Sequence, residues 1–482
     1  MHLERVVLCL LSVFVYSSEE FFDVSKSKTN LRTSKRLSTF DNLKDNSPHV
    51  SCRSQRSVRK RKKSSYNLRK VTIPNAEKRQ ALCLDGSVAV FYLSHNPLSK
   101  NWIIQLQAGG SCGSVEACRE RAKGRYGSSK DYDLYMTGTF LSSDDPNENP
   151  TFASWNKVYV PYCSGDVFVG RRPKSTHPYG LQMLGHYIIK AVMEQLMADH
   201  HINSTENTIL FGGASAGGLG MLANLDYVQN ILSPAKVRGF NDGGWFTLFP
   251  NFGEELAQGT PYFFSTLEVM FNRLWDGYVD ESCRSEMPKP AACLYGELVV
   301  KYLSTPIYVM VAQWDSYQLQ ELVPSKFPTV RLPPELPSEA EYLSKFGNNT
   351  HRSLRRLILS DKSGVFSPAC FMHTFSGESD YLAVTSKYQI KGRTAYKAFS
   401  EWHVSSGREG TYVETPLETP LCNPSCCSSL CTKCREHQTT TTTKRSYKRS
   451  DYAVHASSTG LSTFYCTWLV IWGFTLHMLP YS

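Results

Sequence analysis

Short hydrophobic runs alternate with amphipathic stretches along the central part of the chain. The runs of strand length lie at residues 102–107, 156–161, 207–212, 236–240 and 306–312. Helical spacing is clearest at residues 179–197, where one face carries Leu184, Ile188, Ile189, Val192 and Leu196. Strands that alternate with helices in this way predict an α/β fold with a mostly parallel sheet flanked by helices.

The composition changes at both ends of this pattern, which predicts one folded domain at residues 73–436. Residues 1–18 contain an apolar run of signal-peptide length, too short to span a bilayer, and indicate a secreted protein. Residues 19–72 are poor in apolar residues, so we expect a disordered basic arm. A Thr-rich, basic linker at residues 437–456 leads to a hydrophobic tail at residues 457–482.

The C-terminal tail indicates how the protein is attached at the cell surface. Small residues at 456–460 precede an apolar run at 464–479, a pattern that resembles a GPI-attachment signal. A transmembrane helix fits less well, because about sixteen apolar residues are short for a bilayer and nothing basic follows them. We expect an extracellular protein, with GPI attachment favoured over plain secretion.

One basic stretch of the arm nearly accounts for the net positive charge of the chain. The chain has a formal net charge of +10, and nine basic residues without an acidic one lie between positions 51 and 70: Arg53, Arg56, Arg59, Lys60, Arg61, Lys62, Lys63, Arg69 and Lys70. For a secreted protein, nucleic acid is not the expected partner, and heparan sulfate or another acidic glycan fits better. A processing site at residues 59–61 and a merely solvated tail are the alternatives.

The clearest chemical motif is a serine between glycines. Residues 213–217 read GASAG, the G-x-S-x-G form of a nucleophile elbow. An apolar strand precedes it and helical spacing follows, while the glycines leave room for a strained backbone that exposes the Ser215 hydroxyl. The N–H of Ala216 would then face a developing oxyanion. The alternative is a glycine-rich turn of a nucleotide-binding fold.

Two downstream residues fit the acid and the base of a triad. Asp315 follows the buried run at 306–312, and His373 lies in an apolar loop near the end of the domain. In the Ser, Asp, His order of α/β-hydrolases, His373 would take the proton of Ser215 while Asp315 orients the imidazole. Asp242 is the competing acid and ranks second because it follows the elbow too soon. Other histidines compete for the base, among them His186, His200 and His201.

A second set of oxyanion donors is expected at an earlier turn. The strand run at 102–107 leads into Gly109 and Gly110, whose bare backbone can bring N–H groups close to a carbonyl oxygen. Taken alone, this pair would also fit an ordinary turn.

These motifs together resemble the Notum-type carboxylesterases, which remove palmitoleate from Wnt proteins, within the wider pectin acetylesterase family. The matching segments include LQAGGSC at 106–112, VYVPYCSGDV at 158–167, VRGFNDGGWF at 237–246, DSYQL at 315–319, FSPACFMH at 366–373 and CNPSC at 422–426. The resemblance implies a serine carboxylesterase that needs no cofactor or metal and inhibits Wnt signalling by deacylating a lipidated Wnt protein. It implies the triad Ser215, Asp315 and His373, the oxyanion donors Gly109, Gly110 and Ala216, and the disulfides Cys83–Cys163 and Cys112–Cys118.

One segment departs from the family pattern. Before the loop cysteine, Notum-type enzymes have two aromatic residues that help to wall the acyl pocket, and plant and bacterial pectin enzymes have Gly-Trp. This chain has Gly110 and Ser111. Ser111 is therefore a candidate pocket residue, and the identity of the acyl chain stays open. Leu294 and Tyr295 are further candidates, because the segment at 293–296 resembles another pocket-lining stretch of the family and is apolar. Further apolar residues fit either the pocket or the core, namely Phe263, Phe264, Met270 and Phe271.

The cysteines and sequons fit an oxidising compartment. Of the 15 cysteines, Cys9 lies in the signal and Cys466 in the tail, which leaves the odd number 13. For the cluster at residues 422–434, disulfides fit a secreted chain better than a zinc site. Asn203 and Asn348 are candidate glycosylation sites.

Two other functions stay open: a carbohydrate O-acetylesterase and a non-catalytic protein that binds Wnt or a glycan.

Overall fold

A ten-stranded mixed sheet forms the centre of the protein. The structure, a computed structural model, describes residues 67–253, 262–322, 337–377, 383–384, 386 and 388–415. In chain order the strands of this sheet are β1 Leu68–Thr72, β2 Val90–Ser94, β3 Asn101–Leu106, β4 Tyr135–Met136, β5 Asn156–Val160, β6 Thr208–Ala214, β7 Lys236–Asp242, β8 Ile307–Met310, β10 Gly364–Ser367 and β12 Tyr412–Val413. A separate small sheet pairs β9 Trp314–Asp315 with β11 Phe371–Met372.

The strand order is β12-β10-β8-β7-β6-β3-β5-β2-β1-β4. The seven strands from β12 to β5 are mutually parallel, and β2, β1 and β4 add an antiparallel edge. A parallel sheet with helices on its faces buries its central strands on both sides, which accounts for their nearly continuous apolar sequences. The prediction of a mostly parallel sheet is confirmed.

Helices connect the strands. They are α1 Val115–Arg121, α2 Gly185–His200, α3 Ala216–Ile231, α4 Tyr262–Val269, α5 Glu281–Glu286, α6 Gly296–Val299, α7 Ser316–Leu322, α8 Pro337–Ser353, α9 Arg355–Ile358 and α10 Ala395–Val404. All five residues of the predicted apolar face at 184–196 are buried. The helix itself begins at Gly185 and not at 179, so Leu184 is its N-cap. Within the described residues, no helix is long and apolar enough to cross a bilayer.

Two boundaries differ from the sequence-based expectation. The arm was expected to extend to residue 72, but Leu68–Thr72 forms β1, which pairs with β2 and β4. Strand pairing supplies the backbone hydrogen bonds there, and Lys70 also donates to the Tyr132 carbonyl at 2.5 Å. The predicted strand at 306–312 ends at Met310. The signal peptide, the rest of the arm, the linker, the tail and the cysteine cluster at 422–434 lie outside the described residues.

Disulfides cross-link several segments that connect the strands. Both expected pairs form, Cys83–Cys163 and Cys112–Cys118, and a third joins Cys283 to Cys293. Cys370 is disulfide-bonded as well. All seven cysteines of the described residues are therefore oxidised, as the sequence predicts for a secreted chain.

Candidate active site

Ser215 sits in a strained turn between β6 and α3. Its φ and ψ of 50° and −117° lie outside the regions that ordinary residues occupy. The neighbours leave no room for larger side chains, because a Cβ on Gly213 or Gly217 would lie 2.6 Å or 2.3 Å from the Leu106 carbonyl oxygen. The elbow therefore rests directly on the end of β3, and its glycines are required by this close approach.

The small two-stranded sheet brings the acid and the base together. In its parallel register Phe371 pairs with Trp314 and Met372 with Asp315, so His373 follows directly beside the acid. Asp315 is fully buried, and its Oδ1 accepts a hydrogen bond from the Gln318 N–H at 2.9 Å. This bond fixes the carboxylate at the start of α7.

Three side chains form a continuous chain of hydrogen bonds. His373 Nε2 lies 2.7 Å from Ser215 Oγ, and His373 Nδ1 lies 2.8 Å from Asp315 Oδ2. The Ser215 residue is 6% exposed, and the His373 side chain is 21% exposed. With its proton on Nδ1 the ring donates to Asp315, which leaves Nε2 to accept from the hydroxyl. This is the geometry of a Ser-His-Asp triad that is partly open to solvent.

Nearby carboxylates shift the basicity of the imidazole. Burial alone lowers the pKa of His373, but the charge of Asp315, its hydrogen bond to the ring and the charge of Asp242 outweigh burial. The pKa of His373 is therefore raised above its ordinary value. A more basic imidazole is a stronger acceptor for the serine proton.

Asp242, the competing acid, has a different place. Its side chain accepts from the N–H groups of Phe375 and Ser376 at 2.7 and 2.9 Å and from the Ser376 hydroxyl at 2.5 Å. Its carbonyl accepts from the Ser215 N–H at 2.8 Å. Burial raises the pKa of Asp242, although these hydrogen bonds oppose the shift. Asp242 therefore joins the elbow to the loop that carries His373, while Asp315 holds the ring.

The two groups of expected oxyanion donors lie near the elbow. Ala216 is the first residue of α3, so its N–H has no acceptor within the helix. Gly109 and Gly110 follow β3, the strand on which the elbow rests, with φ values of 150° and 62°. In the described part of the chain the Gly110 N–H has no protein acceptor. The role of these backbone groups as oxyanion donors stays a prediction.

Tyr317 is a further residue beside the triad, and the sequence analysis did not identify it. Its ring stacks on His373 with centroids 5.1 Å apart and also stacks with Phe246, with centroids 6.0 Å apart. Burial raises the pKa of Tyr317, so its hydroxyl stays protonated. The only signal in the sequence was its position two residues after Asp315, on the first turn of α7.

The remaining candidates are placed elsewhere. His186 Nδ1 lies 2.6 Å from Asn224 Oδ1, and the His200 ring makes tilted contacts with the rings of Trp102 and His95. Leu294 and Tyr295 are buried in the main hydrophobic core, and Ser111 is half-buried. A pocket role for these three stays a prediction.

The structure also locates the further apolar candidates and the two candidate glycosylation sites. Met270 and Phe271 are buried in the main core, and the side chains of Phe263 and Phe264 lie outside the described residues. Asn203 is half-buried after α2, and Asn348 is exposed on α8. In the described part of the chain, no group of three metal-ligating side chains is arranged to hold an ion.

Comparison with known proteins shows the family of this chain. The sequence profile described as Pectinacetylesterase matches residues 61–427. The chain belongs to the pectinacetylesterase family. Mouse palmitoleoyl-protein carboxylesterase NOTUM is 31% identical over 346 residues, which are 70% of this chain and 65% of that protein. Pectin acetylesterase 4 of Arabidopsis thaliana is 27% identical over 341 residues, or 68% of this chain and 81% of that enzyme.

A solved structure of the family has the same fold. The Wnt deacylase Notum from Drosophila superimposes with a TM-score of 0.65 at 26% identity, covering 75% of this chain and all of that structure. The chain spans less than two thirds of the length of the curated Notum relatives that it matches, 65% of the mouse protein and 50% of the Drosophila protein.

Proposed function

We propose that the protein is a serine carboxylesterase in which Ser215 attacks an ester carbonyl. His373 accepts the hydroxyl proton through Nε2 and passes it to the leaving alcohol, while Asp315 keeps the ring in the required tautomer. Water, activated by the same histidine, then releases the acid. The observation that carries this proposal is the pair of hydrogen bonds of 2.7 and 2.8 Å in series through one imidazole.

The negative oxygen of each tetrahedral intermediate would be bound by backbone N–H groups. Ala216 offers the N–H at the start of α3, and Gly109 and Gly110 offer theirs from the end of β3. The Ser215 N–H is not available, because it donates to the Asp242 carbonyl. Such preorganised donors account for a large share of the rate of acyl transfer.

For the substrate we propose a fatty acyl ester on a protein, the palmitoleoyl group of a Wnt protein. Support comes from the relatives, since the mouse protein is a palmitoleoyl-protein carboxylesterase and the Drosophila structure is a Wnt deacylase. Removal of the acyl group would inhibit Wnt signalling. The competing substrate is an acetyl ester on a carbohydrate, which the Arabidopsis relative and the small side chains at Gly110 and Ser111 keep open.

A chain-length series of p-nitrophenyl esters tests the substrate class. An apolar pocket gains about 0.8 kcal/mol for each buried methylene, roughly fourfold in binding, so kcat/KM should rise from acetate to medium and long chains. The Ser215→Ala variant is the blank and should lose kcat by at least about 10⁴-fold. If acetate is the best substrate, the fatty deacylase proposal is wrong and the carbohydrate esterase takes its place.

Covalent labelling separates an enzyme from a binding protein that retains the fold. A fluorophosphonate should label the wild-type protein but not Ser215→Ala, because only an activated serine reacts. Correctly folded wild-type protein that resists labelling would instead support sequestration of Wnt or of a glycan.

We further propose an extracellular location, with a GPI anchor at the C-terminal tail and the basic arm as a contact for heparan sulfate. Because Arg69 and Lys70 belong to β1, the deletion that tests the arm should remove residues 51–64 and leave the sheet intact. Salt-sensitive retention on heparin should be lost in this deletion while hydrolysis of a soluble ester is unchanged. A mature protein that begins after Lys63 would remove the basis of this proposal.

A further inference from the structure

Arg121 lies behind the turn that carries the candidate oxyanion donors. It is the last residue of α1, and its Nη2 donates to the Gly109 carbonyl at 2.5 Å. Its Nε donates to the Tyr126 carbonyl at 3.1 Å. The guanidinium also lies against the rings of Tyr126 and Tyr162, at 5.0 and 5.1 Å from their centroids. Four contacts therefore hold this cation in one place.

The hydrogen bond to Gly109 determines where the next N–H points. In a trans peptide the carbonyl of one residue and the N–H of the next point in opposite directions. With the Gly109 carbonyl turned toward Arg121, the Gly110 N–H points to the other side of the turn. No side chain fits at Gly109, because a Cβ there would lie 2.5 Å from the Tyr126 ring.

Gly110 lies close to a residue of the active site. The nearest atom to a Cβ position on Gly110 is the Tyr317 hydroxyl, 4.0 Å away, so the space beside Gly110 is open. Tyr317 stacks on His373, which is hydrogen-bonded to Ser215. The turn is also held on its other flank, since Cys112 is bonded to Cys118 on the same helix as Arg121.

We infer that Arg121 is a positioning residue that orients the Gly109–Gly110 peptide so that its N–H can bind the oxyanion. Its charge also polarises this peptide, which makes the N–H a stronger donor. Arg121 touches neither the nucleophile nor the base, and it acts on the transition state through one backbone group. The inference rests on the proposed esterase function.

The test compares Arg121→Gln and Arg121→Lys with Arg119→Gln, an exposed arginine on the same helix. Loss of one oxyanion donor costs about 10²–10³ in kcat, so a misoriented donor should lower kcat of Arg121→Gln about 10–100-fold with KM nearly unchanged. A trifluoromethyl ketone, which mimics the tetrahedral oxyanion, should bind more weakly by a similar factor. Arg121→Lys should keep part of the rate, and Arg119→Gln all of it.

Chemical rescue distinguishes positioning from a purely structural role. Guanidinium at millimolar concentration should restore part of the kcat of Arg121→Gln but leave Arg119→Gln unaffected. A folded Arg121→Gln with wild-type kcat and inhibitor affinity overturns the inference, as does a kcat loss with no loss of ketone affinity and no rescue. If Arg121→Gln does not fold, the same readouts on Arg121→Lys decide. An esterase rate that survives in Ser215→Ala would instead reject the proposed function itself.

Discussion

At the scale of single residues, two buried carboxylates share the neighbourhood of His373 but perform different tasks. Asp315 lies 2.8 Å from the ring, whereas Asp242 accepts three hydrogen bonds from the loop that follows the histidine. The sequence order favoured Asp315, and the register of β9 with β11 gives the reason. Both carboxylates are buried, so burial does not distinguish their tasks. The hydrogen bond of Asp315 to the imidazole does.

Replacement of each carboxylate by its amide should separate these tasks. Asp315→Asn should lower kcat about 10³–10⁴-fold, because an amide favours the wrong tautomer of His373. Asp242→Asn should lower the free energy of unfolding by about 1–3 kcal/mol, since buried N–H donors lose an acceptor, with a smaller effect on kcat. Ester hydrolysis and urea unfolding of both variants measure this, and a larger kcat loss in Asp242→Asn would reverse the assignment.

The raised pKa of His373 predicts the pH dependence. Only the neutral imidazole can accept the serine proton, so activity is present above the pKa and is lost as pH falls through it. The midpoint of the acid limb of kcat/KM should lie above the ordinary histidine value of about 6.5. Asp242→Asn should move this midpoint down, because the charge of Asp242 contributes to the shift. A midpoint below about 6 in the wild-type protein would contradict the electrostatics of the site.

At the scale of elements, the active site depends on three strand ends that meet. The elbow after β6 rests on the Leu106 carbonyl at the end of β3, and Ser215 donates its N–H to Asp242 at the end of β7. Parallel strands place their carboxyl ends at one edge of the sheet, which is where such sites form. The glycines of the elbow are therefore a requirement of packing as well as of backbone conformation.

A methyl group on the elbow should disturb both stability and rate. Gly217→Ala places a Cβ 2.3 Å from the Leu106 carbonyl oxygen, so the free energy of unfolding should fall by about 1–3 kcal/mol or more and kcat should fall with it. Gly124→Ala is the matched control, because its Cβ would lie 3.9 Å from the nearest neighbour. Urea unfolding and ester hydrolysis should show a clear difference between the two variants, and equal behaviour would argue against this packing.

At the scale of the whole molecule, disulfides connect segments that lie far apart in the sequence. Cys83–Cys163 spans 80 residues and joins the N-terminal edge of the sheet to the segment after β5. Cys283–Cys293 spans only 10 residues. Closing a longer loop removes more entropy from the unfolded chain, so the first bond should stabilise more than the last.

Paired serine substitutions should show this order. Loss of Cys83–Cys163 should reduce the free energy of unfolding by about 4.5 kcal/mol, and loss of Cys283–Cys293 by about 2.7 kcal/mol. Chemical unfolding of the two double variants measures the difference. Since neither disulfide contacts the triad, the folded fraction of each variant should retain its kcat, and the reverse order of stability would contradict the loop-entropy argument.

The sequence by itself was sufficient for the local features. Apolar runs predicted the central strands because buried parallel strands need them, and the glycines at 213–217 predicted the elbow because no larger residue fits that turn. The triad residues and two of the disulfides followed from family resemblance. The arm boundary was misplaced because Leu68–Thr72 has a polar sequence typical of an edge strand, whose pairing depends on distant partners.

Only the tertiary structure decided which side chains meet. Strand register placed His373 beside Asp315, which lies 58 positions earlier in the sequence. Ring stacking placed Tyr317, 56 positions before His373, on the imidazole. The roles of Asp242 and Arg121 likewise arise from contacts with backbone groups of distant loops. Spacing along a chain carries no information about such contacts, because they depend on how strands are ordered in the sheet and where each of them ends.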